Sequence, residues 1–500
     1  MESLVKVQNK RILGFSKTFA LILICGIDAL VLSIFNTSKS YRFLFLLPIS
    51  YLVAYLIFVP MIQAKCNYRR GFPYYIAQLV LFYRYLLLPL ACLYTEIYGG
   101  WTAYGTNGFG VEPLASSMTK AILWMCTEVF AAEFGIYLGT IWARKRECKR
   151  QRIQSLSLEV EFLRHKTVLS IFCVGAFALL LLFQRQVFSQ FMVLSNDYST
   201  GSNATSGSFF KLIFLAFRFG FLLLGYSYCA QNYKRNRKKI WILGAMFFLF
   251  LYIGYSVGLS RWNLILPVLA SVEIFEDVFK PFPKSILAAV FACAIIAMMS
   301  ISFYKYGYLL QGNGNQWTQM LLLIFQQSNE YISGPRSVAQ GIEMLTVYRS
   351  RINITTIFNS LFSGYAGLAS LTNDANKLQS FFNQYALGGP LQDHPLICPI
   401  IIEGIGLFPI FPWVFSMLFE ALAGMMDYKG KTSKTHEYRF LYTYLGLWFA
   451  LCFNVNTKIE VAQISQILPC FLLMYINRKF VIKNKPDNTW KVTSTSSNRG

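Results

Sequence analysis

Four cations lie in one long stretch of this chain that no apolar run covers, and a fifth lies in a short turn two apolar runs before it. Arg261 sits in the short turn Gly258-Leu259-Ser260-Arg261-Trp262, and Lys305 opens the stretch. Arg336 follows Gly334-Pro335, and Arg349 and Arg351 come at the end of the helix that Pro335 would start. A guanidinium keeps its charge, and its fork of donors matches phosphate oxygens, so the grouping points to anion recognition. Arg336 would also occupy the first turn of a helix, where unbonded backbone N–H groups favour an anion. For each arginine taken singly, a solvated or snorkelling side chain is the plain alternative. Acid–base groups share the stretch: Glu330, then Asp393 and His394 at its end, with Glu403 nine residues after the histidine. A carboxylate or imidazole there could take a proton from a hydroxyl. Gly404 and Gly406 beside Glu403 equally suit close contact between helices.

Arg84 and Arg218 differ in kind, because both fall inside apolar runs. A charge at the centre of a membrane helix costs at least ~2.5–3.5 kcal/mol on insertion scales, so each needs a partner or a wet cavity. Glu128, Glu133 and Asp28 are the available partners. A structural ion pair suits Arg84; Arg218 could instead line a cavity open toward the long stretch and join the anion site.

These groups must be carried by helices. Hydrophobic residues are 55% and charged residues 14% of the 500, which excludes a single soluble domain. Apolar runs have helix length, and the alternation of a membrane β-barrel is absent. The expected fold is an all-α polytopic membrane protein with about twelve spans: 18–36, 43–62, 75–98, 121–142, 167–183, 210–231, 241–258, 263–279, 285–303, 396–426, 440–454 and 461–477. Four regions follow: residues 1–303 with spans one to nine, a long loop at 304–395, residues 396–477 with the last three spans, and a polar tail at 478–500. Alternate connections hold about 32 of the 46 Lys and Arg and the others about 11, which puts both termini in the cytoplasm and the long loop outside. The formal charge of +23 thus marks topology rather than a nucleic-acid ligand.

The loop of about 90 residues far exceeds an ordinary helix connection of about 2–8. Its Leu, Ile, Phe and Tyr content predicts a folded module. We expect a helix over 316–331, a second opened by Ser333-Gly334-Pro335 with Ser333 as its cap, a third region over 359–371 and 377–385, and a hinge at 388–390. None of the 11 cysteines forms a C-x-x-C pair, and no paired histidine or exterior acidic pair offers a metal site, so neither metal nor cofactor is expected.

A many-spanned basic chain with a short outward Arg turn, a long outward loop containing Ser-Gly-Pro-Arg, and a His–x8–Glu–Gly–x–Gly re-entry resembles the Wzy-type O-antigen or capsule repeat-unit polymerases. The resemblance is strongest over residues 253–410. The re-entry is also similar to that of the O-antigen ligases, which usually carry Asn after the His where this chain has Pro395. The resemblance implies a glycosyltransferase at the outer face of a bacterial inner membrane, acting on undecaprenyl-diphosphate-linked oligosaccharides as donor and acceptor. A chain-length regulator and a flippase would be further partners. Glu330, Asp393, His394 and Glu403 are then the catalytic candidates, and Arg218, Arg261, Arg336, Arg349 and Arg351 the diphosphate-binding ones. A ligase, or a flippase of lipid-linked sugars, are the competing functions.

Overall fold

The computed structural model describes residues 2–36, 38–65, 70–98, 111–151, 161–162, 166–182, 208–254, 261–280, 331–365, 368–373, 375–387 and 396–483, with eight single residues between 285 and 329. The expected span 285–303, the helix 316–331, the hinge 388–390 and the tail lie outside this set, wholly or nearly so.

Among the described residues the chain is all-helical, without a strand. The helices are α1 (Glu2–Phe35), α2 (Leu46–Lys65), α3 (Phe72–Phe82), α4 (Leu88–Tyr98), α5 (Ala115–Gln151), α6 (Thr167–Leu182), α7 (Ser208–Asn236), α8 (Ile240–Gly254) and α9 (Arg261–Val278). Then come α10 (Pro335–Val347), α11 (Ile354–Phe362), α12 (Leu378–Leu387), α13 (Ile400–Leu407), α14 (Val414–Thr432), α15 (His436–Phe449) and α16 (Thr457–Lys483). Six helical stretches are long and apolar enough to cross a membrane: Thr18–Phe35, Leu46–Lys65, Phe72–Ile97, Ala115–Glu147, Leu212–Asn236 and Thr457–Lys479. Thr167–Leu182 and Ile240–Gly254 are apolar but shorter. On α6, Leu169, Cys173, Ala176 and Leu180 are buried, while Ile171, Val174 and Leu182 are exposed. A helix that is greasy on its outer face as well suits a lipid surround.

Two expected spans have a different form. Residues 396–426 are not one helix: α13 stops at Leu407 and α14 starts at Val414. Pro409 and Pro412 lack the amide a continuous helix would use, and Phe408 leaves helical geometry at φ −135° and ψ 67°. The stretch 440–454 begins earlier as α15 and ends in a 3-10 turn, Cys452–Asn454, before α16.

α14 runs alongside α5, and glycines set the distance. A Cβ on Gly139 would lie 1.8 Å from the Ala421 carbonyl oxygen, and one on Gly424 would lie 2.6 Å from that of Ile136. At the basic end of the bundle, charged side chains clamp four helices. Glu273 of α9 accepts from the Phe72 amide at 2.9 Å and the Thr443 hydroxyl at 3.0 Å, and pairs with Lys431 at 3.1 Å. Asp427 of α14 accepts from the Gly71 amide at 2.9 Å.

Candidate functional site

α3 and α4 form one rod whose middle is a π-turn, Tyr83–Leu87. A π-turn widens the helix and turns a side chain off the regular stripe. Here that side chain is Arg84, fully buried and about 18 Å along the rod from Phe72 at about 1.5 Å per residue. Its Nη1 lies 2.7 Å from Glu128 Oε2 on α5, and the second Glu128 oxygen accepts from the Ser416 hydroxyl of α14 at 2.5 Å. The Phe453 ring lies 4.3 Å from the guanidinium carbon. Of the three partners the sequence offers, the structure uses Glu128; Glu133 accepts from Gln78 at 2.8 Å.

A third contact of Arg84 reaches into the long loop: its Nε donates to the Ser333 carbonyl at 3.2 Å. Ser333 is therefore not the side-chain cap that its place in the sequence suggests. It holds a left-handed φ of 50° and offers its backbone oxygen, while Gly334 takes the cap position of α10 without a side-chain bond. Gly334 is needed for space, since a Cβ would fall 2.0 Å from Asn329 Oδ1 and 2.6 Å from Leu88 Cδ2. Residues 333–341 are buried without a break. The start of this module does not lie over the bundle as a cover; it is sunk to the middle of the α3–α4 rod. Further along α10, Gln340 donates to the Val111 carbonyl at 2.7 Å, and Glu343 accepts from the Leu114 amide at 2.7 Å and the Tyr385 hydroxyl at 2.5 Å. Burial, together with Glu343, pushes the Tyr385 phenol up from its ordinary value.

Glu403 anchors a second polar centre. Its Oε2 accepts from the Thr457 amide at 2.8 Å and from the Thr457 hydroxyl, so a buried carboxylate caps the start of α16. Beside it, Gln379 Oε1 accepts from the Cys398 amide at 2.9 Å and from Asn456 Nδ2 at 2.8 Å. Lys377 and Lys458 are neighbours at the edge of this centre. Burial, and then Lys458, lower the Lys377 ammonium to about 8.

The expected site residues divide as follows. Arg336, buried, and Glu403 lie at the two centres just described. Arg218 is buried elsewhere, between α7 and α8: it donates to the Tyr252 carbonyl and its guanidinium carbon lies 4.7 Å from the Tyr252 ring centre. Arg349 and Arg351 are exposed on a 3-10 turn, with Arg351 at 5.5 Å over Tyr348. Arg261 is the first residue of α9, its side chain outside the described residues, as are Glu330, Asp393 and His394. Sequence reasoning missed Lys377, Lys458, Asn456 and Thr457. The run Asn454-Val455-Asn456-Thr457-Lys458, polar between apolar helices, was the available signal.

A groove of about 430 Å³ runs along the other side of α4. Val31 and Phe35 of α1 line it with Tyr83, Leu87, Leu90 and Tyr94. The Tyr83 hydroxyl donates to Ser328 Oγ at 2.8 Å, so the groove ends beside the segment leading to Ser333. α4 thus separates an apolar channel from a buried polar turn. Among the described residues no group of His, Cys, Asp and Glu could hold a metal ion. Compared with family models, with curated proteins and with solved structures, the chain matches none.

Proposed function

We propose that this chain is a twelve-span glycosyltransferase of a bacterial inner membrane, both termini cytoplasmic. It joins undecaprenyl-diphosphate-linked repeat units at the outer face into O-antigen or capsular polysaccharide. The observation that carries the reading is the α4 arrangement: an apolar groove along one side, and on the other the Ser333–Arg336 turn with its buried cation. A substrate with a polyprenyl tail and a diphosphate head has the same two-part chemistry.

In the reaction the anomeric carbon–oxygen bond to the donor diphosphate breaks, and a glycosidic bond forms to the acceptor hydroxyl. The hydroxyl proton passes to a base, and the diphosphate leaves with added negative charge. Arg336 is suited to stabilise that charge, an effect on the order of 10²–10³-fold for one well-placed donor. Glu330, Asp393 and His394 remain the candidates for the base. Glu403 serves as a positioning residue, since its Oε2 holds the start of α16.

The test is the surface glycan of a deletion strain, expected to stop at one repeat unit. In that strain Arg336→Ala should yield no long chains at normal protein level, and Arg336→Lys a partial ladder. A normal ladder from Arg336→Ala removes the reading.

One observation favours a second reading, a transporter of lipid-linked sugars. Glu133, Glu420 and Glu460 are fully buried, and both Glu460 carboxylate oxygens lack a hydrogen-bond partner among the described residues. Polar groups within a bundle are a mark of transport pathways. Lipid-linked units accumulating on the cytoplasmic side of the deletion strain would select it.

A further inference from the structure

Helix α11 is built inside out. Its polar residues are the buried ones: Thr356, Asn359 and Ser360 are at most 3% exposed. All three are tied to residues 373–378. The Thr356 hydroxyl donates to Asn376 Oδ1 at 2.8 Å, and Asn359 Nδ2 donates to the Asn376 carbonyl at 3.1 Å. Asn359 Oδ1 accepts from the Asn373 amide at 3.2 Å, and Ser360 Oγ accepts from the Leu378 amide at 3.1 Å. The apolar residues lie on the other side. Ile354 is 82% exposed, and Phe358 and Phe362 are 38% exposed each. Their spacing of four residues makes them one stripe along the helix, and the two phenyl ring centres are 5.0 Å apart. On the surface of a module bathed in water the two faces would be exchanged. The polar face cannot turn outward without breaking its bonds, so the apolar stripe is the fixed outer surface of this helix.

The place of α11 says what covers that stripe. The turn after it lies against the first turns of α16. A Cβ on Gly364 would fall 1.9 Å from the Lys458 carbonyl oxygen and 3.0 Å from the Ala462 amide nitrogen, and Ser465 Oγ lies 3.5 Å from the Gly364 carbonyl oxygen. Those residues belong to Thr457–Lys479, one of the six stretches able to cross a membrane. α11 therefore ends beside a spanning helix, within about 12 Å of its start at about 1.5 Å per residue. α16 itself exposes Leu468 and Leu472 further along. α11 has no charged residue, yet Arg349 and Arg351, both exposed, stand just before its cap Asn353. An apolar helix face edged by basic residues is the make-up of a segment lying at the boundary of acyl chains and headgroups.

We propose that α11 lies in the leaflet at the start of α16. Its Ile354–Phe358–Phe362 stripe rests on phospholipid acyl chains, and Arg349 and Arg351 hold the phosphates of anionic headgroups. The long loop is thereby seated in the membrane surface rather than raised above it, and the two arginines take lipid phosphate in place of a substrate diphosphate. The inference rests on the packing of α11 and α16 and is independent of the polymerase reading.

The experiment places the photocrosslinker p-benzoylphenylalanine at Phe358, at Phe362 or, as a reference within a spanning helix, at Leu472. All three side chains are exposed, so the larger ring is accommodated. The full chain is irradiated in nanodiscs of mixed phosphatidylcholine and phosphatidylglycerol, and its intact mass is measured. One added phospholipid is expected at each of the three positions. A lipid adduct at Leu472 with none at Phe358 or Phe362 overturns the proposal. So does a covalent dimer from either phenylalanine position, which would make the stripe a contact between two copies of the chain. Among the Phe358 adducts phosphatidylglycerol should exceed its share of the bilayer, and Arg349→Gln and Arg351→Gln should each cut that preference roughly fivefold. An unchanged lipid ratio in the double variant overturns the assignment of headgroup phosphate to the two arginines.

Discussion

Arg84 and Glu128 form a pair that can neither be dismissed as surface charge nor read as pure stabilisation. Both are fully buried at 2.7 Å, so removing one partner leaves a charge in an apolar bundle, at a cost of about 3–5 kcal/mol. Glu128→Gln should therefore lower the melting temperature and yield sharply, and Arg84→Met likewise. The double variant should recover a large part of the loss; additive losses would show that the pair does not act as a unit. This pairing was legible in the sequence, because a charge within an apolar run demands a partner and three acids were near enough to supply one. The Ser416 and Ser333 contacts were not, since they depend on which helices become neighbours. Lys377 gives a second test at this scale. Its folded value of about 8 lies below the ordinary 10.5, so the unfolded chain binds the extra proton between them. The Lys377 contribution should raise stability as pH climbs from about 8 to 10.5, and should be flat below. Equal pH courses of stability for wild type and Lys377→Gln between pH 8 and 10.5 would count against it.

Helix contacts explain which elements could be read in advance. Pro335 announced α10 and the apolar runs announced the long helices, because these signals are local. The break between α13 and α14 was also written locally, in Pro409 and Pro412, but average apolarity over 396–426 concealed it. α11 began earlier than expected: Asn353 and Thr356 form a capping box, with the Thr356 amide donating to Asn353 Oδ1 at 3.0 Å. Small residues carry a signal that only packing reveals. Gly135 and Gly139 on α5, with Gly424 on α14, let two backbones approach. Gly139→Ala should destabilise by about 1–3 kcal/mol, because the intruding carbon meets main chain that cannot rotate away. Gly175 on α6 has nothing within 4 Å of a built Cβ, so Gly175→Ala should be neutral or stabilise by up to about 1 kcal/mol. Thermal melts of the two variants in one detergent check the contrast; equal effects would deny that α5 and α14 are in glycine-mediated contact.

At the scale of the whole molecule, the sequence showed a helical membrane protein. It did not show that the start of α10 descends beside Arg84, because composition tells how apolar a segment is and not which helices receive it. That depth bears on topology. Ser333 bonds to the middle of the α3–α4 rod, while Lys431, Arg439 and Asp277 gather at the rod's Phe72 end. The basic end should face the cytoplasm. The turn around Gly364 joins the start of α16, whose other end carries Arg478 and Lys479, so it belongs to the opposite face. Alkaline phosphatase folds only outside the cytoplasm, and therefore separates the two placements. Fused after Gly364 it should be active, and fused after Lys434, between α14 and α15, it should be inactive. The reverse pattern would invert the chain and put the α10 turn on the cytoplasmic side, out of reach of an outer-face substrate. Activity at both positions would mean that α14 does not complete a crossing, and the count of twelve spans would fall with it.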